Sequence, residues 1–487
     1  MTDTAHTGTD TAEPGQQDRQ AVDPKALLLI GVLVASAFVM ILNETILSVA
    51  LRQLSQELGV ATTTAQWVTS GFLLTMAVII PTTGFLLERF TPRQVFLASL
   101  ASFSAGTLLS ALAPGFPVLL AGRVVQACGT AVMIPLLMTS VMRLIPESRR
   151  GSMMGTIGIV IAVAPALGPS IGGAILSGLG WRWMFWLVLP LAIAALLIGA
   201  RWLRLDTETR KVPLDVLSVI LSALGFGGLL YGLSSIGEGG GGHAVPPVLP
   251  IVAGLVVLSV FVWRQLTLQR RERALLDLRP FESRDFVVSL TLTGLLFMCL
   301  LGVASILLPL YLQTVLDASA FESGLAVLPG GLALGLLGRP VGSLYDRIGP
   351  RPLVIPGTVA MASGLWLFTT LGPGSAIATV VIYHVIMMIG LALMMTPLMT
   401  QALGSLSEQL SSHGSAILAT LQQVAGALGT AVFVTVAAIA SGGGAGPDAD
   451  GLRVAFMVAG AIGLIAVATS LLLSKHKSSS AAGGHGH

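Results

Sequence analysis

The chain is patterned as long apolar runs separated by short polar segments. Fourteen runs of about 20 residues or more can be counted between residues 26 and 473. A hydrocarbon core of ~30 Å requires a run of this length to cross it as a helix. Backbone amides in lipid need partners within their own segment, and no run shows the alternation of a barrel strand. We therefore predict an all-α integral membrane protein with 14 transmembrane helices.

Composition supports lipid as the solvent. Hydrophobic residues make up 54% of the chain and charged residues only 10%, whereas soluble domains carry ~25% charged residues. The basic residues form no nucleic-acid motif, so we expect no nucleic-acid partner. Cys128 and Cys299 both lie in apolar runs, which favours buried thiols over a disulfide. No residues show metal-ligand spacing, and none is predicted to bind a metal.

Basic residues are distributed unequally between the two sets of loops. With a cytoplasmic N-terminus, the cytoplasmic segments hold 21 Lys and Arg, against only Arg52, Arg182 and Arg453 outside. Arg123 and Arg339 lie within spans. The positive-inside rule therefore predicts a multi-pass membrane protein with both termini in the cytoplasm. Arg outnumbers Lys 22 to 4 in a chain rich in Ala, Gly and Leu, which favours a bacterial source and hence the bacterial cytoplasmic (inner) membrane.

The chain contains an internal repeat. Residues 84–93, GFLLERFTPR, and 342–351, GSLYDRIGPR, share a pattern 258 residues apart, each after the second span of a group of six. Two parallel repeats with a midplane site between them are typical of secondary transporters. The predicted units are a disordered cytoplasmic tail (1–24), an N-terminal six-helix bundle (25–205), two inserted helices with a cytoplasmic linker (206–285), a C-terminal six-helix bundle (286–473) and a cytoplasmic tail (474–487).

Three further stretches add to the loop motif: GRVVQACG (122–129), APALGPSIGG (164–173) and WRWMFW (181–186). With these motifs, residues 26–473 resemble the fourteen-span drug:proton antiporter family (EmrB/QacA type) of the major facilitator superfamily. The resemblance implies the major facilitator fold, two six-helix bundles plus two extra central helices, working by alternating access. Protons are the implied coupling ion; no other cofactor is expected, since no nucleotide-binding loop occurs.

The chain departs from the family pattern at two positions. Thr91 stands in the loop motif where Gly is usual, and its repeat partner is Gly349. In span 1, Asn43 occupies the place of the usual Asp, and Glu44 follows it. This L-N-E-T sequence resembles the lincomycin-resistance-like subgroup. It moves the carboxylate by ~100° around the helix.

Glu44 and Arg123 are the predicted proton-coupling residues. An acidic side chain within a span costs ~2.5–3.5 kcal/mol on insertion scales, which favours a functional role. Both residues lie ~9–10 Å from the outer ends of their spans, by the helical rise, so we expect them to pair, with Arg123 tuning the carboxylate. The alternative is a purely structural ion pair.

The substrate cavity is expected between the halves. Aligning HVIMMIG (384–390) with RVVQACG (123–129) makes His384 the repeat partner of Arg123. A neutral histidine packed inside the bundle is the alternative. The predicted cavity residues are Asn43, Gln126, Tyr383, His384 and Gln422.

The resemblance also implies gating and antiporter motifs. The loops are expected to latch the cytoplasmic side, and the antiporter motif to seal the path between the halves and favour export. Plain topology-setting loops and simple packing glycines are the alternatives. The gating residues are Gly84, Glu88, Arg89, Arg93, Gly342, Asp346, Arg347 and Arg351. The antiporter-motif residues are Pro165, Gly168, Pro169, Gly172 and Gly173.

These observations predict a proton-coupled multidrug efflux antiporter for hydrophobic or amphiphilic, often cationic, small molecules. The alternatives are a lipid or fatty-acid exporter of the same fold and a proton symporter that imports. An enzyme is not expected, because no clustered catalytic set accompanies Glu44, Arg123 and His384. The expected partners are the lipid bilayer and a small-molecule substrate, and a monomer is expected because one chain holds both bundles.

Overall fold

The computed structural model describes residues 24–60, 62–202, 215–237, 246–270, 273–441 and 447–474. All regular secondary structure in this part of the chain is helical. The predicted tails lie almost wholly outside the described residues. The α-helices are α1 (Pro24–Ile46), α2 (Leu51–Glu57), α3 (Thr62–Ile79), α4 (Thr83–Arg89), α5 (Pro92–Ala111), α6 (Phe116–Leu144), α7 (Glu147–Leu179), α8 (Arg182–Trp202), α9 (Val216–Gly237), α10 (Val248–Gln269), α11 (Arg284–Cys299), α12 (Leu308–Thr314), α13 (Ala320–Ile348), α14 (Arg351–Phe368), α15 (Ile377–Gly404), α16 (Glu408–Ala440) and α17 (Ala449–Ser470).

Thirteen helical segments of the described chain are long and apolar enough to cross a membrane. Two of them are composite: α3 and α4 join through a 3₁₀ turn at Ile80–Thr82, and α11 and α12 join through a π-helical segment, Leu300–Leu307. The 33-residue α7 lies outside these thirteen. The predicted count of 14 is consistent with this arrangement. The all-α membrane architecture is confirmed.

The loop motif begins and ends helices differently in the two halves. Thr91 is the N-cap of α5: its hydroxyl accepts from the Gln94 amide at 3.3 Å, and the Gln94 side chain accepts from the Thr91 amide at 3.1 Å. Gly349 ends α13 with a φ of 81°, in the left-handed region that favours glycine. At this position of the motif, the first half therefore has a residue that starts the next helix with a capping box, whereas the second half has a glycine that ends the preceding helix.

The internal repeat reappears in the packing of the helices. A Cβ on Gly129 of α6 would overlap the carbonyl oxygen of Ser99 on α5. In the second half, a Cβ on Gly390 of α15 would lie 2.6 Å from the carbonyl oxygen of Gly357 on α14. Ser99 and Gly357 are 258 residues apart, the same separation as the two loop motifs, so they are repeat partners. The matching close approaches support the alignment of Arg123 with His384.

The two halves meet along two helix pairs. The helix α7 runs along α13, and backbones touch where Gly151 and Gly155 face Gly342 and Gly338. The helix α16 packs against α4 and α6 of the first half. Both the glycine crossing and the α4–α16 contact lie at the end of the bundle that carries the loop motifs, the predicted cytoplasmic end.

The inserted helices α9 and α10 form a hairpin tied to the linker that follows it. The Arg264 guanidinium on α10 donates to the Asp215 carboxylate at 2.8 and 2.9 Å and holds the pKa of Asp215 below its usual range. Gln265 accepts from the backbone amides of Leu275 and Leu276 at 2.8 and 3.2 Å. Because α9 also contacts α3 and α16, the hairpin lies against the junction of the two halves.

Candidate functional site

A cavity of about 350 Å³ lies between the two halves. Its lining is mostly apolar and includes Met76 and Met388, with Glu44, His384 and Gln422 among its polar groups. Glu44 is half-buried. We call this space the central cavity. It contains three of the seven residues that the sequence predicted for proton coupling and substrate binding.

A second cavity of about 450 Å³ shares part of this lining. Glu44, Leu301, Ser305 and Gln423 belong to both cavities. Among the described residues that line either space, Glu44 is the only Asp, Glu, Lys or Arg. Its carboxylate is therefore the formal negative charge that a ligand in either cavity would meet, and the low-dielectric surroundings strengthen its attraction for a cation.

Arg123 is held by neutral groups rather than by a carboxylate. It is fully buried on α6, and its Nη1 donates to the side-chain oxygens of Asn43 and Gln126, both at 3.0 Å. Its Nε donates to the Val68 carbonyl at 3.2 Å, and its guanidinium lies 4.0 Å from the centroid of the Phe72 ring. This set of contacts fixes the guanidinium between α1, α3 and α6.

The expectation of a direct Glu44–Arg123 pair is therefore corrected. Asn43, one residue earlier on α1, occupies the position facing Arg123, while Glu44 lines the cavities. Successive residues differ by ~100° around a helix, so only one of the two can face α6. Arg123 remains within electrostatic range of Glu44. Its Nη2 and the Asn43 Nδ2 are buried without a hydrogen-bond partner.

Asn43 and Gln126 are also corrected as cavity residues. Both are fully buried and neither belongs to the lining of the central cavity. Gln126 Nε2 donates to Thr107 Oγ1 at 2.7 Å, extending the Arg123 network to α5. The side-chain oxygens of Asn43 and Gln126 hold the Arg123 guanidinium, and neither residue contacts the central cavity.

His384 lines the central cavity, whereas its neighbour Tyr383 does not. His384 is fully buried, and neither ring nitrogen has a hydrogen-bond partner. A Cβ on Gly330 of α13 would overlap the imidazole, so the glycine makes room for it. The Tyr383 ring packs edge-on against Phe368, with centroids 6.3 Å apart. The prediction of Tyr383 as a cavity residue is corrected for the same angular reason as Asn43.

Gln422 lies in the central cavity as predicted, and its Nε2 is buried without a hydrogen-bond partner. Gln423, the next residue on α16, lines both cavities. Two amides thus stand opposite α1 in the second half. They can donate hydrogen bonds to a ligand without adding charge.

One contact between the halves is made by Asp346, at the end of α13. Its two carboxylate oxygens accept from the backbone amides of Gly151 and Ser152, each at 2.9 Å. These amides lie near the N-terminus of α7, where the helix dipole favours a negative charge. We call this contact the Asp346 latch. Gly342 allows the close approach that the latch requires, since a Cβ there would overlap the Gly151 carbonyl.

The repeat-related contact uses a histidine. His413 Nε2 near the start of α16 lies 3.1 Å from a carboxylate oxygen of Glu88 at the end of α4. Its Nδ1 accepts from the Asp277 amide of the linker at 3.3 Å. A Cβ on Gly84 would lie 2.6 Å from that Nδ1. We call this contact the Glu88 latch.

Sequence reasoning missed His413, although a signal was present. Aligning the starts of α7 and α16, at Glu147 and Glu408, places His413 opposite Ser152. Ser152 supplies one of the amides of the Asp346 latch. Extending the repeat alignment into these helices would therefore have located the histidine.

The motif arginines act within each half or lie exposed. Arg93 donates to a carbonyl in the last turn of α8 at 2.7 Å, and Arg351 reaches a carbonyl just beyond α17 at 3.4 Å. Basic groups at helix C-termini are favourable. Arg89 lies 5.9 Å from two neighbouring aromatic rings, and Arg347 is exposed.

The antiporter motif packs α7 against α1. A Cβ on Gly168 would overlap Thr45, which directly follows Glu44. Gly172 is buried, whereas a Cβ on Gly173 would meet open space. The Gly168 contact lies within the first half, and α7 also runs along α13 of the second half. The seal between the halves that the resemblance implies stays a prediction. The side chains of Pro165 and Pro169 lie outside the described part of the chain.

Comparison with known proteins agrees with this architecture. The chain is 41% identical over 461 residues to the lincomycin resistance protein LmrB of Listeria monocytogenes, spanning 92% of this chain and 97% of that protein. It is 32% identical over 420 residues to the multidrug resistance protein B homolog of Mycobacterium tuberculosis, spanning 85% and 76%. The human organic anion transporter MFSD10 (TETRAN) superposes with a TM-score of 0.64 at 17% identity, over 93% of this chain and 100% of that chain, which shows the fold alone. Residues 33–430 match the model of the Major Facilitator Superfamily, so the resemblance carried by the motifs is confirmed and this chain belongs to that superfamily.

Proposed function

We propose that this chain is a proton-coupled multidrug efflux antiporter, exporting hydrophobic or amphiphilic, often cationic, small molecules. The observation that carries the proposal is the position of Glu44. It is the only Asp, Glu, Lys or Arg among the described residues lining the central cavity. The names of the LmrB and multidrug-resistance relatives support drug export.

Glu44 is the proposed proton-coupling carboxylate. When ionised, it attracts a cation into a mostly apolar cavity; when protonated, it does not. Proton and cationic substrate therefore exclude one another at one group. The buried Arg123, which is hydrogen-bonded to the neighbouring Asn43, adds a fixed positive charge that favours release of the proton from Glu44.

Alternating access is proposed to break the Asp346 and Glu88 latches together. Both latches connect the halves at the end that carries the loop motifs. The basic loops at that end support a cytoplasmic location for it, in a bacterial inner membrane. While the latches close the cytoplasmic end, substrate and protons in the central cavity exchange with the outside. Both termini are proposed to be cytoplasmic, the working unit a monomer, and protons the only coupling species.

The test is gradient-driven transport by reconstituted protein. Sided vesicles with an acidic exterior are loaded with ethidium, and export is followed for wild type, Glu44→Gln and the control Glu282→Gln. Glu282 is exposed and lines neither cavity. We expect gradient-dependent export by wild type and the control, and none by Glu44→Gln.

Three other results would change the assignment. Export that survives Glu44→Gln moves the proton site to His384, the other titratable group in the central cavity. Absence of gradient-driven export of every cation tried directs the search to lipid or fatty-acid substrates. Import instead of export under the same gradient contradicts antiport.

A further inference from the structure

The second cavity is walled by the inserted helix α9. Leu230 and Tyr231 of α9 line it, together with Trp67 of α3 and residues of the π-helical segment and α16. Because α9 packs against both α3 and α16, it closes the side of the space between the halves. We call this space the α9 vestibule. The other inserted helix, α10, packs on α9 and leaves Trp263 70% exposed.

An aromatic pair stands in the vestibule. The rings of Trp67 and Tyr231 are stacked, with centroids 5.9 Å apart and planes 22° apart. Trp67 is 38% exposed, so the stack is not enclosed by packing. An indole and a phenol ring presented in this way can extend the stack onto a flat ligand and attract positive charge to their faces.

The vestibule also has polar groups in place for a ligand. Thr69 Oγ1 is buried without a hydrogen-bond partner. Glu44, Ser305 and Gln423 line the vestibule and the central cavity alike. The π-helical segment brings Ser305 to this boundary, and such segments are frequent at functional sites. The Glu44 carboxylate is thus available to a ligand in the vestibule and to one in the central cavity.

We propose that the α9 vestibule is a binding site for planar aromatic cations, stacked on Trp67 and Tyr231 with the charge toward Glu44. Its volume of about 450 Å³ is in the range of drug-sized pockets. The inserted hairpin then contributes a specificity-determining wall to the transport path. This inference rests on the proposed export of cations for its physiological meaning, but binding can be measured without transport.

The test compares two monovalent organic cations, ethidium, which is planar and aromatic, and tetrabutylammonium, which has no ring. Equilibrium binding to purified protein is measured by calorimetry for wild type, Trp67→Leu, Tyr231→Leu and Tyr231→Phe. Trp263→Leu is the matched control, since Trp263 lines neither cavity. Loss of one aromatic partner is expected to weaken ethidium binding ~10-fold, because stacking and attraction of the charge are both lost. Tetrabutylammonium cannot stack, so its binding should weaken less, and the control should change less than ~2-fold. Tyr231→Phe keeps the ring and the wild-type Kd for ethidium.

Two results would overturn the proposal. One is an ethidium Kd within ~2-fold of wild type in both leucine variants. The other is an equal loss of affinity for both cations, which would show that stacking of a planar ligand on the pair contributes nothing. If Trp67→Leu does not fold, Tyr231→Leu against Tyr231→Phe makes the same comparison. Ring-dependent ethidium binding without gradient-driven export would refute the proposed function and leave the site standing; export without ring-dependent binding would do the reverse.

Discussion

Gly84 offers a sharp test of whether the Glu88 latch closes the predicted cytoplasmic end. In Gly84→Ala, the new methyl would lie 2.6 Å from His413 Nδ1 and 3.2 Å from His413 Cα. The imidazole cannot easily rotate away, because Glu88 and the Asp277 amide hold its two nitrogens. The His413 Cα is a backbone atom of α16, so it cannot move without moving the helix. The closed state must therefore absorb an overlap that the open state does not contain.

The size of the effect follows from overpacking. Extra methyl groups in tightly packed sites cost ~1–3 kcal/mol, which shifts a two-state equilibrium ~5–150-fold. Gly342→Ala should shift it further, because its Cβ overlaps the Gly151 carbonyl and both partners are backbone. Gly31→Ala is the matched control: it lies in α1, where a Cβ meets nothing within 4 Å. It carries the same general gain in helix stability without the clash.

The assay is a distance measurement between the halves. Spin labels at positions 149 and 347, both exposed at this end, are introduced after Cys128 and Cys299 are replaced by Ala. Pulsed electron resonance should show a longer-distance population that grows from wild type and Gly31→Ala, through Gly84→Ala, to Gly342→Ala. Equal distance distributions for Gly84→Ala and Gly31→Ala would refute the reasoning, since the overlap would then carry no conformational cost.

Three further predictions concern other contacts. Arg123→Lys should lower the melting temperature of the purified protein, because one ammonium nitrogen cannot replace both Nε, which bonds the Val68 carbonyl, and Nη1, which bonds the two amides, and each buried polar group left without a partner costs ~1–3 kcal/mol; an unchanged melting temperature would contradict the network. Asp346→Asn should open the predicted cytoplasmic end more than Glu88→Gln, because Asp346 uses both oxygens on backbone amides, whereas Gln keeps an acceptor for His413; the reverse order in the same distance measurement would reject this difference. Gln265→Leu should expose the linker to limited proteolysis by removing the acceptor of two backbone amides, and wild-type cleavage rates would argue against that tie.

Most of the fold could be predicted from the sequence, because a chain crosses lipid as long apolar helices and the two loop motifs show the internal repeat. The match of GFLLERFTPR with GSLYDRIGPR extends to the backbone approaches at Gly129 and Gly390. What the apolar runs could not predict is the direction that each residue faces. Helices that are apolar all round carry little angular information.

The candidate site illustrates that limit. Glu44, His384 and Gln422 could be singled out from the sequence and do line the central cavity, because a charged or polar group in a span is costly whichever way it faces. The Asn43 and Tyr383 assignments failed by one residue step, which is a rotation of ~100°. The vestibule depends on how α9 packs against α3 and α16. Contacts between helices that are distant in sequence produce no periodic pattern in a single sequence, so this cavity could not be predicted.

The backbone tie between the inserted hairpin and the Glu88 latch has a consequence for modularity. Gln265 on α10 fixes the linker amides next to Asp277, and the Asp277 amide holds His413. Excision of the hairpin would therefore disturb a contact between the two six-helix bundles. Removal of the hairpin would leave the linker segment that holds His413 without the Gln265 acceptor. Through the linker, the inserted hairpin thus contributes to the contact that joins the two bundles.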